Sequence, residues 1–230
     1  MEHPERGRAA RRAAGDLVID GGHAVRTRVK ICGITRSEDL RAAASAGADA
    51  IGLVFYPPSP RCLSLDWARQ LASEAPAFLS TVALFVNPSA AEVYEVLARV
   101  RPSMLQFHGE ETPVFCAQFG APWIKACRVR PNVDLLEYLR PFSGAAGWLL
   151  DSHVEEYGGV GESFDWSLVP AELGHPVILS GGLTPENVRA AVRRVRPWAV
   201  DVSSGVESAK GIKDATRIAA FVAEVRNADV

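Results

Sequence analysis

Several features that mark other classes of protein are missing from this chain of 230 residues. Its apolar runs all stay below the ~18 residues that a membrane-spanning helix needs, so no membrane contact is expected. The opening stretch MEHPERGRAARRAAG has no apolar core and does not predict a secretory signal. The formal net charge of −2 gives no bias towards nucleic acid. These absences predict a cytoplasmic protein that binds neither nucleic acid nor membranes.

The chain also has few cysteines, and their spacing is not that of a metal site. Cys32, Cys62, Cys116 and Cys127 show no CxxC spacing and no adjacent histidine pattern. Neither a metal site nor a disulfide framework is expected, and a reducing compartment is the default. A GxGxxG turn is likewise missing after the first predicted strand, which counts against a doubly wound dinucleotide-binding sheet.

From about Thr27 onwards, short apolar runs alternate with longer stretches of helical spacing. The runs are nearly continuous, which is typical of parallel strands buried on both faces. Thr184, placed before Pro185 and Glu186, predicts the start of a helix. Eight strand candidates, most followed by a helix, predict an α/β fold with a single (β/α)8 TIM barrel. The candidates are VKIC, AIGLVF, TVALFV, MLQF, WIKACRV, GWLLD, PVILSGG and WAVDVSS.

The chain is predicted to have one compact domain. Residues 1–26 precede the first strand candidate and are predicted to be a poorly ordered extension. Residues 27–230 are predicted to form the barrel, which would carry the catalytic site. No low-complexity linker divides them.

Two residues close predicted strands with groups that can exchange a proton. Cys32 ends the first strand in RVKICGIT, at the face where barrel enzymes assemble their active sites. It is either a small buried hydrophobe or a thiol aimed at a substrate. Asp151 ends the sixth strand and is an acid, a base or a helix cap. Asp165, in SFDW, precedes a helix start and is expected to act as a cap.

The last two strand candidates run into glycine-bearing loops, ILSGGLTPENV and AVDVSSGVE. In barrels, the loops after strands seven and eight commonly form a phosphate site with the N-terminus of a short helix. Glycines leave backbone N–H groups unobstructed, and a helix dipole favours an anion. The alternative is that these are only turn glycines. The first half of the chain lacks a second such loop, which favours a ligand with one phosphate.

Other loops add candidate contacts at the same face. Arg61, in YPPSPRCLS, is either a surface charge or a guanidinium that suits a substrate carboxylate. His108, in LQFHGEE, is either a structural histidine or a substrate contact. The glycine-bearing loop after Asp151, with Gly158, Gly159 and Gly161, could close over a substrate.

The motifs together resemble those of phosphoribosylanthranilate isomerases, the tryptophan-pathway enzymes that rearrange N-(5-phosphoribosyl)anthranilate. The resemblance covers roughly Arg28 to Val225, with every motif in the family's order. It is carried by KICGIT, GADAIGLVFYPPSPR, LQFHGEE, LLDS…EYGGVGESFDW, LSGGLTPENV and DVSSGVE…GIKD.

The resemblance implies an isomerase that needs neither a metal nor an organic cofactor, acting as a monomer or homodimer on a small-molecule substrate. It implies that Cys32 is the general base and Asp151 the general acid. Arg61 is then expected at the anthranilate carboxylate, Asp201 at the sugar hydroxyls and His108 in the substrate site. The residues expected to hold the phosphate are Gly181, Gly182, Ser203 and Ser204.

Two other functions remain open from the sequence. The histidine-pathway isomerase of similar fold performs the same rearrangement on a substrate with two phosphates, and a dual-specificity enzyme is a variant of this reading. That family would place an aspartate where Cys32 stands, although VIDGGHAVR is faintly similar to its opening. A non-catalytic phosphosugar-binding barrel is the second alternative.

Overall fold

The eight predicted strands all form, and they close into one parallel barrel. The computed structural model describes residues 26–130, 134–152, 165–170 and 173–229. Each strand pairs with the next along the chain, and β1 also pairs with β8, which closes the cylinder. The predicted fold class is therefore confirmed. The strands are β1 Arg28–Cys32, β2 Ala50–Phe55, β3 Ser80–Phe85, β4 Met104–Phe107, β5 Trp123–Val129, β6 Gly147–Ser152, β7 Val177–Leu179 and β8 Ala199–Val202.

Helices separate most of the strands, and a short antiparallel hairpin follows β8. Among the described residues, no helix has the length and apolar character that crossing a membrane requires. The hairpin strands are β9 Glu207–Ala209 and β10 Ile212–Lys213. The helices are α1 Ser37–Ala46, α2 Leu65–Glu74, α3 Ala90–Arg99, α4 Pro113–Ala117, α5 Leu135–Leu139, α6 Val188–Val195 and α7 Ala215–Ala228.

One predicted helix start is wrong. Helix α6 begins at Val188 with Asn187 before it, and not at Thr184. The Thr184 hydroxyl accepts the Glu186 N–H at 3.2 Å, and the Asn187 side chain accepts the Thr184 N–H at 2.8 Å. These local bonds stabilise a turn in place of the first helical turn, as polar side chains near helix ends commonly do.

The capping role of Asp165 is confirmed, because its side chain accepts the Ser167 N–H at 2.9 Å before a short 3₁₀ turn. Two other expectations concern residues outside the described ranges. These are the predicted extension, apart from Arg26, and the glycine-bearing loop with Gly158, Gly159 and Gly161.

Side-chain alternation along the strands separates two cores. The larger core lies between the barrel and its helices. A smaller core fills the barrel interior with Val82, Ile124, Ala126, Leu149, Ile178 and Ala199. The barrel also buries three polar side chains close to the carboxyl ends of its strands, namely Lys30, Gln106 and Asp201. These three polar side chains therefore lie in the layer beneath the face where barrels carry their active sites.

Candidate active site

A pocket opens at the carboxyl ends of the strands, and the nine predicted site residues all line it. The strand-to-loop junctions of a parallel barrel converge on this face, so residues far apart in the chain meet there. The nine are Cys32, Arg61, His108, Asp151, Gly181, Gly182, Asp201, Ser203 and Ser204.

Cys32 lies at the last position of β1, buried except for the edge that lines the pocket. Burial raises the pKa of its thiol, because a thiolate is poorly solvated there. The ammonium groups of Lys30 and Lys213 oppose that shift, whereas the Asp201 carboxylate adds to it. The proton affinity of the thiol therefore depends on the charges of Lys30, Lys213 and Asp201.

Asp151 lies near the end of β6 and is hydrogen-bonded at both carboxylate oxygens. Oδ1 accepts the backbone N–H of Ser152 at 2.8 Å, and Oδ2 lies 3.0 Å from Nε2 of His108. The other ring nitrogen of His108 lies 3.0 Å from the side-chain nitrogen of Gln106. His108 thus links the candidate acid to a residue inside the barrel.

Asp201 forms a buried ion pair with Lys30. The Lys30 ammonium lies 2.8 Å from Oδ1 of Asp201, and both side chains are only 6% exposed. Burial favours the neutral amine, but the charges on Asp201 and Cys32 outweigh it and raise the pKa of Lys30. Lys30 is two residues before Cys32 on β1, so both side chains point into the barrel. The pair therefore lies directly beneath the thiol.

Arg61 is clamped by Glu207 of the hairpin. Its Nε and one terminal nitrogen each donate to a carboxylate oxygen of Glu207 at 2.7 Å, which is the bidentate geometry that Arg prefers. Glu207 also accepts a bond from Lys213 at 2.8 Å. Burial favours the protonated acid, yet Arg61 and Lys213 keep the pKa of Glu207 below its usual value. The expected carboxylate-binding guanidinium is therefore held in place by a carboxylate of this chain.

The glycine-bearing loops after β7 and β8 line the same pocket. Gly181 has φ of 83°, a left-handed conformation that favours glycine, and a Cβ there would collide with the Ser152 backbone. Ser203 precedes the short 3₁₀ turn Ser204–Val206. Its carbonyl accepts a bond from the Lys213 ammonium at 3.0 Å, which brings a positive charge to this end.

The loop that carries His108 rests on a fully buried ion pair. Lys125 of β5 and Glu111 are 2.8 Å apart, with side chains 0% and 2% exposed. Lys125 also bonds to the Gly109 carbonyl, and Glu111 accepts the N–H groups of Asn87 and Gly109. The loop after β4 is therefore fixed from below, and so is the position of His108.

Comparison with known proteins assigns the family. The family model described as N-(5'phosphoribosyl)anthranilate (PRA) isomerase matches residues 29–224 of this chain. The chain belongs to that family.

Relatives of this isomerase family match across nearly their whole length. An N-(5'-phosphoribosyl)anthranilate isomerase of Thiobacillus denitrificans is 59% identical over 200 residues, which is 86% of this chain and 98% of the relative. That of Dechloromonas aromatica is 56% identical over 206 residues, or 89% of this chain and 99% of the relative.

Solved structures of the family share the barrel. The phosphoribosyl anthranilate isomerase from Thermotoga maritima is 42% identical, with a TM-score of 0.82 over 87% of this chain and 99% of that one. A second is described in complex with reduced 1-(o-carboxyphenylamino)-1-deoxyribulose 5-phosphate. It is 39% identical with a TM-score of 0.77, again over 87% and 99% of the two chains.

Four further residues of this isomerase take part in the site but were not singled out from the sequence. Gln106 and Arg128 line the pocket, Glu207 binds Arg61, and Lys213 donates to Glu207. Gln106 could have been found, because it lies two residues before His108 in LQFH and shares its face of the strand. The roles of Glu207 and Lys213 could not be found from the sequence, because their contacts form only when the hairpin β9–β10 packs against the loop that carries Arg61.

We expect Gly52→Ala to impair this isomerase through Cys32 alone. Gly52 is the register partner of Cys32 on β2, and an added Cβ would lie 2.6 Å from Sγ. The thiol must then move, and a misplacement of about 1 Å can cost about a hundredfold in rate. We expect kcat to fall at least about tenfold, measured beside circular dichroism. Gly144→Ala is the control, since its Cβ would lie 3.8 Å from the nearest atom of Trp123. Wild-type kcat in Gly52→Ala would contradict the placement of the thiol.

Proposed function

We propose that this chain isomerises N-(5'-phosphoribosyl)anthranilate to 1-(2-carboxyphenylamino)-1-deoxyribulose 5-phosphate in tryptophan biosynthesis, by general acid-base catalysis. The observation that carries the proposal is the placement of a thiol and a carboxyl group in one pocket. Cys32 lies at the end of β1 and Asp151 at the end of β6, with the glycine-bearing loops after β7 and β8 in the same pocket.

The rearrangement needs one proton donor and one proton acceptor. Asp151 as the acid gives a proton to the ring oxygen, the ring C–O bond breaks, and the nitrogen lone pair forms a Schiff base. Cys32 as the base removes the proton from C2, and that electron pair gives the enolamine. The enolamine becomes the ketone by gaining a proton at C1 and losing the C2 hydroxyl proton, so the proton count balances. Two groups across one pocket meet this requirement without a cofactor.

The base must first lose its own proton. An ordinary thiol is only about 3% ionised at neutral pH, and bringing its pKa to 7 takes roughly 2 kcal/mol of preferential stabilisation of the thiolate. Burial acts in the opposite direction here, so the stabilisation must come from positive charge. Lys30 and Lys213 supply part of it, and the positive Schiff base next to C2 would supply more when the substrate is bound.

The substrate has two anionic ends, and the pocket offers a match for each. Gly181, Gly182, Ser203 and Ser204 present backbone N–H groups and hydroxyls for the phosphate, beside the Lys213 ammonium. Arg61 is proposed to bind the anthranilate carboxylate, and Asp201 the sugar hydroxyls. His108 is proposed to act within the substrate site through its contact with Asp151.

We expect Arg61→Ala to raise KM by more than it lowers kcat. The carboxylate that Arg61 is proposed to hold lies away from the reacting carbons, so its binding is nearly equal in the ground and transition states. Steady-state kinetics of Arg61→Ala and of the exposed control Arg41→Ala measure the two constants. A loss confined to kcat, with KM unchanged, would contradict this role.

The assay that tests the proposed function offers the purified protein two aminoaldoses. One is phosphoribosylanthranilate, and the other is the two-phosphate substrate of the histidine pathway. Turnover of the first alone supports the proposal, turnover of the second alone supports the histidine-pathway alternative, and turnover of both indicates dual specificity. Binding without turnover of either would identify a non-catalytic phosphosugar-binding barrel.

We also propose that residues 1–26 contribute nothing to the chemistry. The nine site residues all lie after Arg28, where the first strand begins. Deletion up to Thr27 should therefore leave kcat and KM unchanged in the same assay. Loss of activity in a deleted chain that keeps its circular dichroism would refute this. The cytoplasmic location and the monomeric or homodimeric state stay predictions, which cell fractionation and analytical ultracentrifugation would check.

A further inference from the structure

A chain of three side chains leads from the barrel interior to the candidate acid. Gln106 lies on β4 with no exposed surface, and its amide nitrogen is 3.0 Å from Nδ1 of His108. Nε2 of the same ring is 3.0 Å from Oδ2 of Asp151. The remaining carboxylate oxygen accepts the Ser152 N–H at 2.8 Å. Nothing in the proposed chemistry uses Gln106.

The directions of these hydrogen bonds follow from the groups that make them. An amide nitrogen can only donate, so Nδ1 of His108 must accept and carry no proton. A neutral imidazole then has its proton on Nε2, which donates to Asp151. Asp151 therefore accepts at both oxygens, which fixes the orientation of its carboxyl group.

We propose that Gln106 is a positioning residue that fixes the Nε2–H tautomer of His108 and, through it, the orientation of the Asp151 carboxyl group. The inference rests on the proposed function, because it assigns Asp151 as the acid.

The other charged groups around His108 and Asp151 are not altered by the variants that test this proposal. Arg128 of β5 is the register partner of Asp151 and lines the pocket, as does Arg61. The remaining titratable residues lining the pocket are Cys32, Tyr56 and Asp201. On the far side of the loop, Lys125 bonds to Glu111. Variants of Asp151 and Gln106 leave all of these in place.

The oxygen of the Gln106 amide is buried and accepts no hydrogen bond from any residue that the structure describes. The bond from the amide nitrogen to Nδ1 of His108 is therefore the one hydrogen bond of this side chain within the described residues.

The tautomer is measured first, by NMR of the ring nitrogens in isotope-labelled protein without added ligand. We expect Nδ1 of His108 to carry no proton in the wild type and to be protonated in Gln106→Glu, because a carboxylate there can only accept. His175, whose Nε2 lies 2.9 Å from the Ala145 carbonyl, is the internal reference and should not change. Protonation of Nδ1 in the wild type would overturn the proposal.

Kinetics complete the test and separate it from the proposed function. Gln106→Glu should lower kcat by about tenfold to a hundredfold, because the altered tautomer of His108 misplaces Asp151. Gln118→Glu, on an exposed helix end, is the matched control. Unchanged kcat in Gln106→Glu would refute the positioning role. An inactive wild type would instead refute the proposed function, and the NMR result would stand apart from it.

Discussion

Cys32→Ser is expected to lose nearly all turnover while the barrel stays folded. The substitution preserves size and polarity, but a hydroxyl holds its proton far more tightly than a thiol and cannot act as the base. General-base catalysis typically contributes about 10²–10⁴ in rate, so kcat should fall by a factor in that range. Stopped assays of turnover and circular dichroism on the same preparation measure the effect.

Two further variants sharpen this test. Cys32→Ala should be equally inactive and folded, because the residue ends a strand at the pocket and leaves little core cavity behind. Cys62→Ser is the matched control, since that free thiol is half-buried and does not line the pocket. A folded Cys32→Ser variant with near-normal kcat would return Cys32 to the role of a core residue.

Asp151→Asn is expected to lower kcat by a similar factor of about 10²–10⁴. The amide keeps the shape of the carboxyl group and can still accept the Ser152 N–H, but it has no acid proton to transfer. KM should change little, because the ring oxygen gains its proton only in the transition state. Asp134→Asn is the control, since Asp134 caps α5 and asparagine caps equally well. Comparable losses in both variants would indicate a fault in folding rather than in the acid.

The barrel could be predicted because each strand is indicated by its own run of apolar residues. Nearly continuous apolar runs such as AIGLVF are required where a strand is buried on both faces, and all eight runs form strands. Parallel strands in a barrel end at one face, so Cys32 and Asp151 could be placed in one pocket from their positions alone. The roles of the nine site residues stay predictions until the variants are measured.

The features that could not be predicted from the sequence are contacts that form only in the folded chain. Glu207 clamps Arg61 across 146 positions of the chain, and neither residue's neighbours indicate the other. The start of α6 was misplaced because the Thr184 hydroxyl can cap a helix or close a turn, and the Asn187 side chain decides in favour of the turn. The direction of the bond between Gln106 and His108 likewise exists only once β4 has placed the two side chains.

The buried pair of Lys125 and Glu111 limits how sequences of this barrel can change over time. Removing one partner leaves an unpaired charge where water cannot reach, and such single losses cost about 3–5 kcal/mol. Replacing both partners with apolar residues of matching volume is often neutral or even stabilising. A lineage could therefore exchange the pair only by passing through a poorly folded ancestor or by changing both codons together. Sequences that lack the pair are therefore hard to reach by single substitutions. This barrier, and not the strength of the ion pair, preserves the support beneath the His108 loop.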